Sequence, residues 1–162
     1  MIREAHGDLI QMALAGEFDV VVHGCNCFCT MGAGIAKQIK ATFPAAYRSD
    51  CRTPKGDRNK LGTYSSAKVN DLTIVNAYTQ HHWQGSGQKA DYDAIRSCLT
   101  KVAADFPNAR IGLPQIGAGL AGGDWKTILQ IIREELGDTD TTVVYYQPPP
   151  NLSTRSEDHS HP

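Results

Sequence analysis

The stretch that decides the fold reads Leu113-Pro114-Gln115-Ile116-Gly117-Ala118-Gly119-Leu120-Ala121-Gly122-Gly123-Asp124-Trp125. A β-run from Ala109 to Leu113 feeds it, and the apolar spacing of Trp125 to Leu136 predicts a helix leaving it. Four glycines fall between Gly117 and Gly123. They remove Cβ atoms where a backbone turns with positive φ or approaches something closely. Asp124 stands where a helix N-cap belongs, so the first N–H groups of that helix face the loop. A glycine-rich turn between strand and helix cradles phosphate oxygens with backbone donors at the positive end of the helix dipole. The spacing matches neither G-x-x-x-x-G-K-[ST] nor a G-x-G-x-x-G with a ribose-binding acid about 20 residues on. On its own, then, the loop predicts an anion site and leaves open a plain tight connection capped by Asp124.

Working outward, a second unit repeats the arrangement. Phe18 to His23 reads as a buried strand, and a small-residue loop, His23 to Gly34, follows it. Ile35 to about Phe43 has helical spacing, Pro44 interrupts it, and Ala45 to Cys51 predicts one more short helix. Met1 to Ala5 predicts a strand, Leu9 to Leu14 a helical turn, and Thr141 to Tyr146 the last strand. Gly62 to Val69 and Leu72 to Tyr78 form a hairpin about Asn70-Asp71. A polar loop, Gln80 to Ala90, carries His81, His82 and Trp83, and Asp91 to Ala104 is an amphipathic helix. Strands alternating with helices predict an α/β fold, and the hairpin makes its sheet mixed. Both glycine loops leave the C-terminal ends of strands, where ligands of α/β sheets collect.

Composition narrows the function. The 162 residues make one domain, large enough to bury roughly 70% of the unfolded surface. A net charge of −1 supplies no field that draws the chain to nucleic acid or anionic membrane, so neither partner is expected. No apolar run reaches the roughly 20 residues of a membrane helix, and no secretory signal opens the sequence. Five cysteines, three of them crowded at Cys25, Cys27 and Cys29, argue against a disulfide framework and predict a reducing cytoplasm. Arg48 to Lys60 is net basic and reads as an exposed connection without the interleaved aromatics of a single-strand binder. Residues 147–162 begin Gln-Pro-Pro-Pro and carry no apolar pattern, so a proline-rich polar tail, without fixed structure, is expected after a domain at 1–146.

With both loops in view, the chain resembles a macro domain, the ADP-ribose-binding fold, a three-layer α/β/α sandwich with a mixed central sheet. The resemblance spans about residues 1 to 146. It rests on an ordered set: Gly7-Asp8-Leu9, Val21 to Asn26, Met31-Gly32-Ala33-Gly34-Ile35-Ala36, and Pro114 to Trp125. It implies a small-molecule ligand, ADP-ribose or ADP-ribose 1''-phosphate, and no cofactor or metal. Asp8 would accept from the adenine amino group and the Leu9 N–H would donate to the ring. Gly32, Ala33, Gly34 and Ile35, with Gly117, Ala118, Gly119, Leu120 and Ala121, would wrap the pyrophosphate. Asn26 would face the distal ribose, and Tyr145 would pack against adenine.

Within that superfamily the chain looks most like the branch of terminal ADP-ribose glycohydrolases, DNA-ADP-ribosylation antitoxins and ADP-ribose 1''-phosphate phosphatases. The first two carry a catalytic lysine in a Thr-Lys-Arg-His-Trp-like segment. The corresponding residues here are Thr79-Gln80-His81-His82-Trp83. Gln80 cannot act as a nucleophilic amine. The resemblance therefore favours hydrolysis of ADP-ribose 1''-phosphate, with an ADP-ribosyl glycohydrolase that acts on modified protein or DNA through water, or a non-catalytic ADP-ribose-binding module, as alternatives. Asn26, His81 and Asp124 are the candidate catalytic residues. Asp124 would handle a water or attack phosphorus, its carboxyl raised by the nearby phosphate, unless it is only a cap. His81 would donate to a leaving oxygen, unless it is an exposed loop histidine. His23, ahead of the first loop, is read as a buried strand-end histidine. His23 with Cys25, Cys27 and Cys29 offers four zinc-type donors, but their single-residue spacing departs from structural zinc sites, and no metal is expected.

Overall fold

The computed structural model describes residues 1–85 and 87–148. Six strands form one sheet: β1 (Ile2–Gly7), β2 (Val20–Cys25), β3 (Tyr64–Val69), β4 (Leu72–Tyr78), β5 (Arg110–Leu113) and β6 (Asp140–Tyr146). The helices are α1 (Leu9–Leu14), α2 (Gly34–Thr42), α3 (Pro44–Cys51), α4 (Tyr92–Asp105) and α5 (Trp125–Leu136), with a 3₁₀ turn at Arg58–Lys60. Sheet order is β1-β6-β5-β2-β4-β3, parallel throughout except where β3 runs antiparallel to β4. The mixed sheet and the hairpin are as the sequence predicts.

Strand alternation splits the core into two layers. Val20 and Val22 of β2, with Val75, Leu113 and Val143, pack against Ile95 and Leu99 of α4 and Ile128 and Ile132 of α5. Val21, with Ile74 and Val144, faces Ile10 of α1, Ile39 of α2 and Ala46 of α3. The result is the expected three-layer sandwich. Its order sets β2 and β5 side by side at the centre, which brings the two glycine loops together.

Local chemistry explains the element ends. Pro44 does not merely interrupt a helix but opens α3, where its missing N–H costs nothing. Asp8, Asp91 and Asp124 cap α1, α4 and α5 by accepting from Gln11, Ala94 and Thr127 N–H. Asn70 turns the hairpin at φ 55°, a conformation asparagine tolerates without glycine.

Two expectations need correction. The second strand lies at Val20–Cys25 rather than Phe18–His23. Phe18 instead packs over Gly112, where a Cβ would sit 2.7 Å from its ring, and Asp19 is drawn into an ion pair with Arg110. His23 and Cys25 are thereby strand residues in register with Asn76 and Tyr78. The Arg48 to Lys60 stretch is not simply an exposed connection. Asp50 is only 1% exposed and Lys60 is also buried. Of the expected tail, residues 149–162 lie outside the described residues.

Candidate active site

Two cavities open where the loops meet. The larger, about 590 Å³, is lined by the first loop from Asn26 through Ala36 in part, by Asp50, Thr79, Gln80 and Trp83, and by Pro114 to Ala121 in part. The smaller, about 370 Å³, runs from Asp8 and Leu9 to Tyr146. Gly34, Ile35, Pro114, Gln115 and Gly119 line both, so the glycine loops form the waist between two compartments.

The waist is built of backbone donors. Ala33, the N-cap of α2, makes no side-chain capping bond, which leaves the first N–H groups of that helix open. The N–H groups of Gly119, Leu120 and Ala121 have no acceptor among the described residues. Gly34 holds φ 58° at the helix start, a left-handed conformation natural to glycine. Cys29 and Met31 are held there as well, at φ 58° and 41°. Such non-glycine strain, of order 1–3 kcal/mol each, clusters at ligand sites. Gly123 serves another purpose. A Cβ on it would lie 2.6 Å from the Gly117 carbonyl, so it closes the loop rather than meets a ligand.

The candidate residues separate into those that reach a cavity and those that do not. Gly32, Ala33, Gly34, Ile35, Gly117, Gly119, Leu120 and Ala121 line the larger compartment; Ala118 lines the smaller with Asp8 and Leu9. Asn26 lines the larger one and is fixed by an Asx turn: its Oδ1 accepts from Phe28 N–H at 2.8 Å and its Nδ2 donates to Thr30 Oγ1 at 2.7 Å. Gln80 also lines it, its amide donating to the His82 carbonyl.

Asp124 lines neither cavity. One carboxylate oxygen accepts from Thr127 N–H and Oγ1, and these bonds hold its pKa below the usual value rather than above it. His81 lines neither cavity. Its Nε2 donates to the Gly56 carbonyl at 3.0 Å, its ring meets Phe28 edge-on, and its buried Nδ1 has no partner among the described residues. Tyr145 faces away, accepting from Trp125 Nε1 and donating to Glu4; strand alternation gives Tyr146 the place beside Asp8.

Beneath the larger compartment lies a buried polar chain. His23 Nε2 sits 2.7 Å from Asn76 Oδ1, Asn76 donates to Ser65 Oγ, Ser65 meets the Tyr78 hydroxyl, and Tyr78 donates to Asp50 Oδ1 at 2.7 Å. Burial lowers His23 to about 4, so its ring is neutral at neutral pH; the histidine is buried as expected, though inside the strand rather than at its end. Burial raises Asp50, against the opposing pull of the Tyr78 bond and the Lys60 ammonium. Lys60 Nζ donates to the Cys27 carbonyl at 3.0 Å and lies over the Tyr78 ring. Asp50 is the one carboxyl in the lining of the larger compartment, and the sequence reading did not single it out. Its signal was faint: it sits four residues after Ala46, on the helix face that α3 buries.

A model of the Macro domain matches residues 22–132, which takes in both glycine loops and the floor between them. The chain belongs to the Macro domain family. A phage T4 relative, described as an uncharacterized 17.5 kDa protein in the tk-vs intergenic region, is 31% identical over 91% of this chain and 98% of its own length. A DNA ADP-ribosyl glycohydrolase of Mycobacterium tuberculosis is 28% identical over 96% of this chain, which spans 44% of that protein. An ADP-ribose 1''-phosphate phosphatase of Candida albicans is 26% identical over 83% of this chain and 93% of its own. Among solved structures, the macrodomain of Thermus aquaticus DarG superposes with a TM-score of 0.71 at 25% identity, covering 91% of this chain and 99% of that one. The lining of the larger compartment holds no lysine, arginine or histidine among the described residues, and Asp50 is its one carboxyl.

Proposed function

We propose that this macro domain binds ADP-ribose across the two compartments and hydrolyses ADP-ribose 1''-phosphate to ADP-ribose and phosphate. The observation that carries the reading is the shared waist. A pyrophosphate held by the open N–H groups at Gly34 and Gly119 would send adenosine toward Asp8 and Leu9 and the second ribose toward Asn26. Asp8 keeps one carboxylate oxygen on Gln11 N–H and offers the other to an amino group. In the hydrolysis, water attacks phosphorus, the bond from phosphorus to the ribose oxygen breaks, and that oxygen takes a proton. Gln80 at the position of the family's lysine argues for water as nucleophile. The Candida albicans phosphatase gives the same direction. Asn26, within the lining, is the better placed of the three catalytic candidates. Unpaired cysteines fit a reducing, cytoplasmic setting.

A second reading, release of ADP-ribose from modified DNA by water, is favoured by the higher identity to the Mycobacterium tuberculosis glycohydrolase. Inorganic phosphate released from ADP-ribose 1''-phosphate supports the first reading. ADP-ribose released from modified DNA, without phosphatase turnover, supports the second.

A further inference from the structure

Within Arg48 to Lys60 the sequence places no aromatic residue on which a base could stack, but the fold brings four rings to that stretch. Three segments meet at Gly56. Its N–H donates to the Cys27 carbonyl at 2.6 Å, its carbonyl accepts from His81 Nε2, and the His81 carbonyl accepts from Cys27 N–H at 2.9 Å. Phe28 lies so close to Gly56 that a Cβ there would sit 3.0 Å from its ring. The rings continue from Phe28 through edge-on contacts, with centroids 5.0 Å away at His81 and 5.6 Å away at Trp83; His82 meets His81 at 5.9 Å. Trp83 stays 47% exposed in the lining of the larger compartment. Flanking Gly56 in the chain, Arg52, Lys55 and Arg58 are exposed, and none enters an ion pair among the described residues. Asp50 and Lys60 are withdrawn into the core, which leaves Asp57, accepting from Asn59 N–H, as the one carboxylate of the stretch outside it.

We propose that Trp83, braced by Phe28, and the exposed cations Arg52, Lys55 and Arg58 form a docking surface for a single strand of nucleic acid. Phosphates meet the cations, and a base stacks on Trp83. The chemistry selects this occupant. An acidic peptide satisfies the cations but gives the exposed ring nothing to stack, and a duplex keeps its bases paired. A net charge of −1 for the whole chain does not oppose it, because salt screens exposed charges beyond about 8–10 Å and a phosphate samples the local cations. The surface is independent of the reading of the compartments: it needs neither ADP-ribose nor a reaction.

Fluorescence anisotropy of a labelled, unmodified DNA strand of mixed sequence, about 12 nucleotides long, tests this on the full chain. Wild type binds the strand with an affinity that falls as salt rises, and binds the matching duplex at least about fivefold more weakly. Trp83→Ala weakens the strand by roughly 10-fold or more, whereas Trp83→Phe, which keeps a ring, costs less than about threefold. The double variant Lys55→Glu with Arg58→Glu also weakens it by roughly 10-fold or more and flattens the salt dependence. Its ADP-ribose affinity by calorimetry and its melting temperature stay at the wild-type values. If Trp83→Ala melts out, Trp83→Phe and the charge-reversed variant carry the test. No strand binding by wild type at low salt overturns the proposal, as does equal affinity for strand and duplex. Displacement of the strand by a polyglutamate peptide as effectively as by unlabelled strand marks a plain charged patch and overturns it too. So does a charge reversal that leaves strand affinity unchanged, or that lowers strand and ADP-ribose affinity together. Strand binding without ADP-ribose binding overturns the reading of the compartments and supports this surface.

Discussion

The wall of the larger compartment and its floor are made of different material. The wall is largely the backbone of two loops, Gly32 to Ile35 and Gly117 with Gly119 to Ala121, where the N–H groups of Gly119, Leu120 and Ala121 have no acceptor among the described residues. Behind it runs a side-chain layer, the floor: His23, Asn76, Ser65, Tyr78 and Asp50, joined by hydrogen bonds, buried except at the half-buried Ser65, and reaching the lining of the compartment at Asp50. A backbone wall recognises what every phosphodiester offers, negative oxygens, and is indifferent to the rest of the ligand. A side-chain floor instead holds the fold together, and each partner that its buried polar atoms keep adds to its stability. Damage to the wall should therefore cost binding with little stability. Damage to the floor should cost stability.

The largest effect is expected at Gly119, which lines both compartments. A Cβ there meets nothing within 4 Å, so the fold tolerates a side chain that fills the waist. Gly119→Glu should abolish ADP-ribose binding by calorimetry while urea denaturation stays within about 0.5 kcal/mol of wild type. A large loss of stability would blur the distinction between wall and floor.

Next is the floor's dependence on pH. His23 has a folded-state pKa of about 4 against an ordinary 6.5, so the unfolded chain binds its proton first. Its contribution is fully present above pH 6.5 and is lost as pH falls through 4, a loss on the order of 3 kcal/mol. Denaturation midpoints measured across that window should fall with acidity, and His23→Gln should flatten the slope. Smaller again is Lys60→Met. It removes the donor to the Cys27 carbonyl and the positive charge near Asp50, and should cost roughly 1–3 kcal/mol in urea denaturation.

The smallest effect belongs to Asp124, which is exposed and lines neither cavity. Asp124→Ala removes the cap of α5 and should lower the melting temperature by about 2–4 °C. Asp124→Asn should leave phosphate release within about threefold of wild type. A fall of about 10²-fold would restore Asp124 as an acid–base group.

The same contrast explains what could be read from the chain alone. Gly117 to Gly123 announced the wall because glycine clustering and a following N-cap are local signals, and the βα periods around them gave the sandwich. The helix at Trp125–Leu136 has the bounds its spacing predicts. The floor was not legible. Asp50 and Lys60 stood in a polar, net-basic stretch that resembled solvated surface, and only the packing of α3 and the 3₁₀ turn against β4 turns them inward. Likewise Tyr145 and Tyr146 are indistinguishable by type; the register of β6 against β1 decides which one meets the ligand side. His81 and Asp124 were chosen by position along the chain, and local partners at Gly56 and Thr127 claim them.

Whether the joined compartments hold ADP-ribose is decided by calorimetric titration of the wild-type chain with that ligand, with the melting temperature followed in parallel. Saturable binding of one ligand per chain is expected, with a melting temperature that rises with ligand concentration. Millimolar ADP-ribose that gives neither heat nor a thermal shift would contradict it.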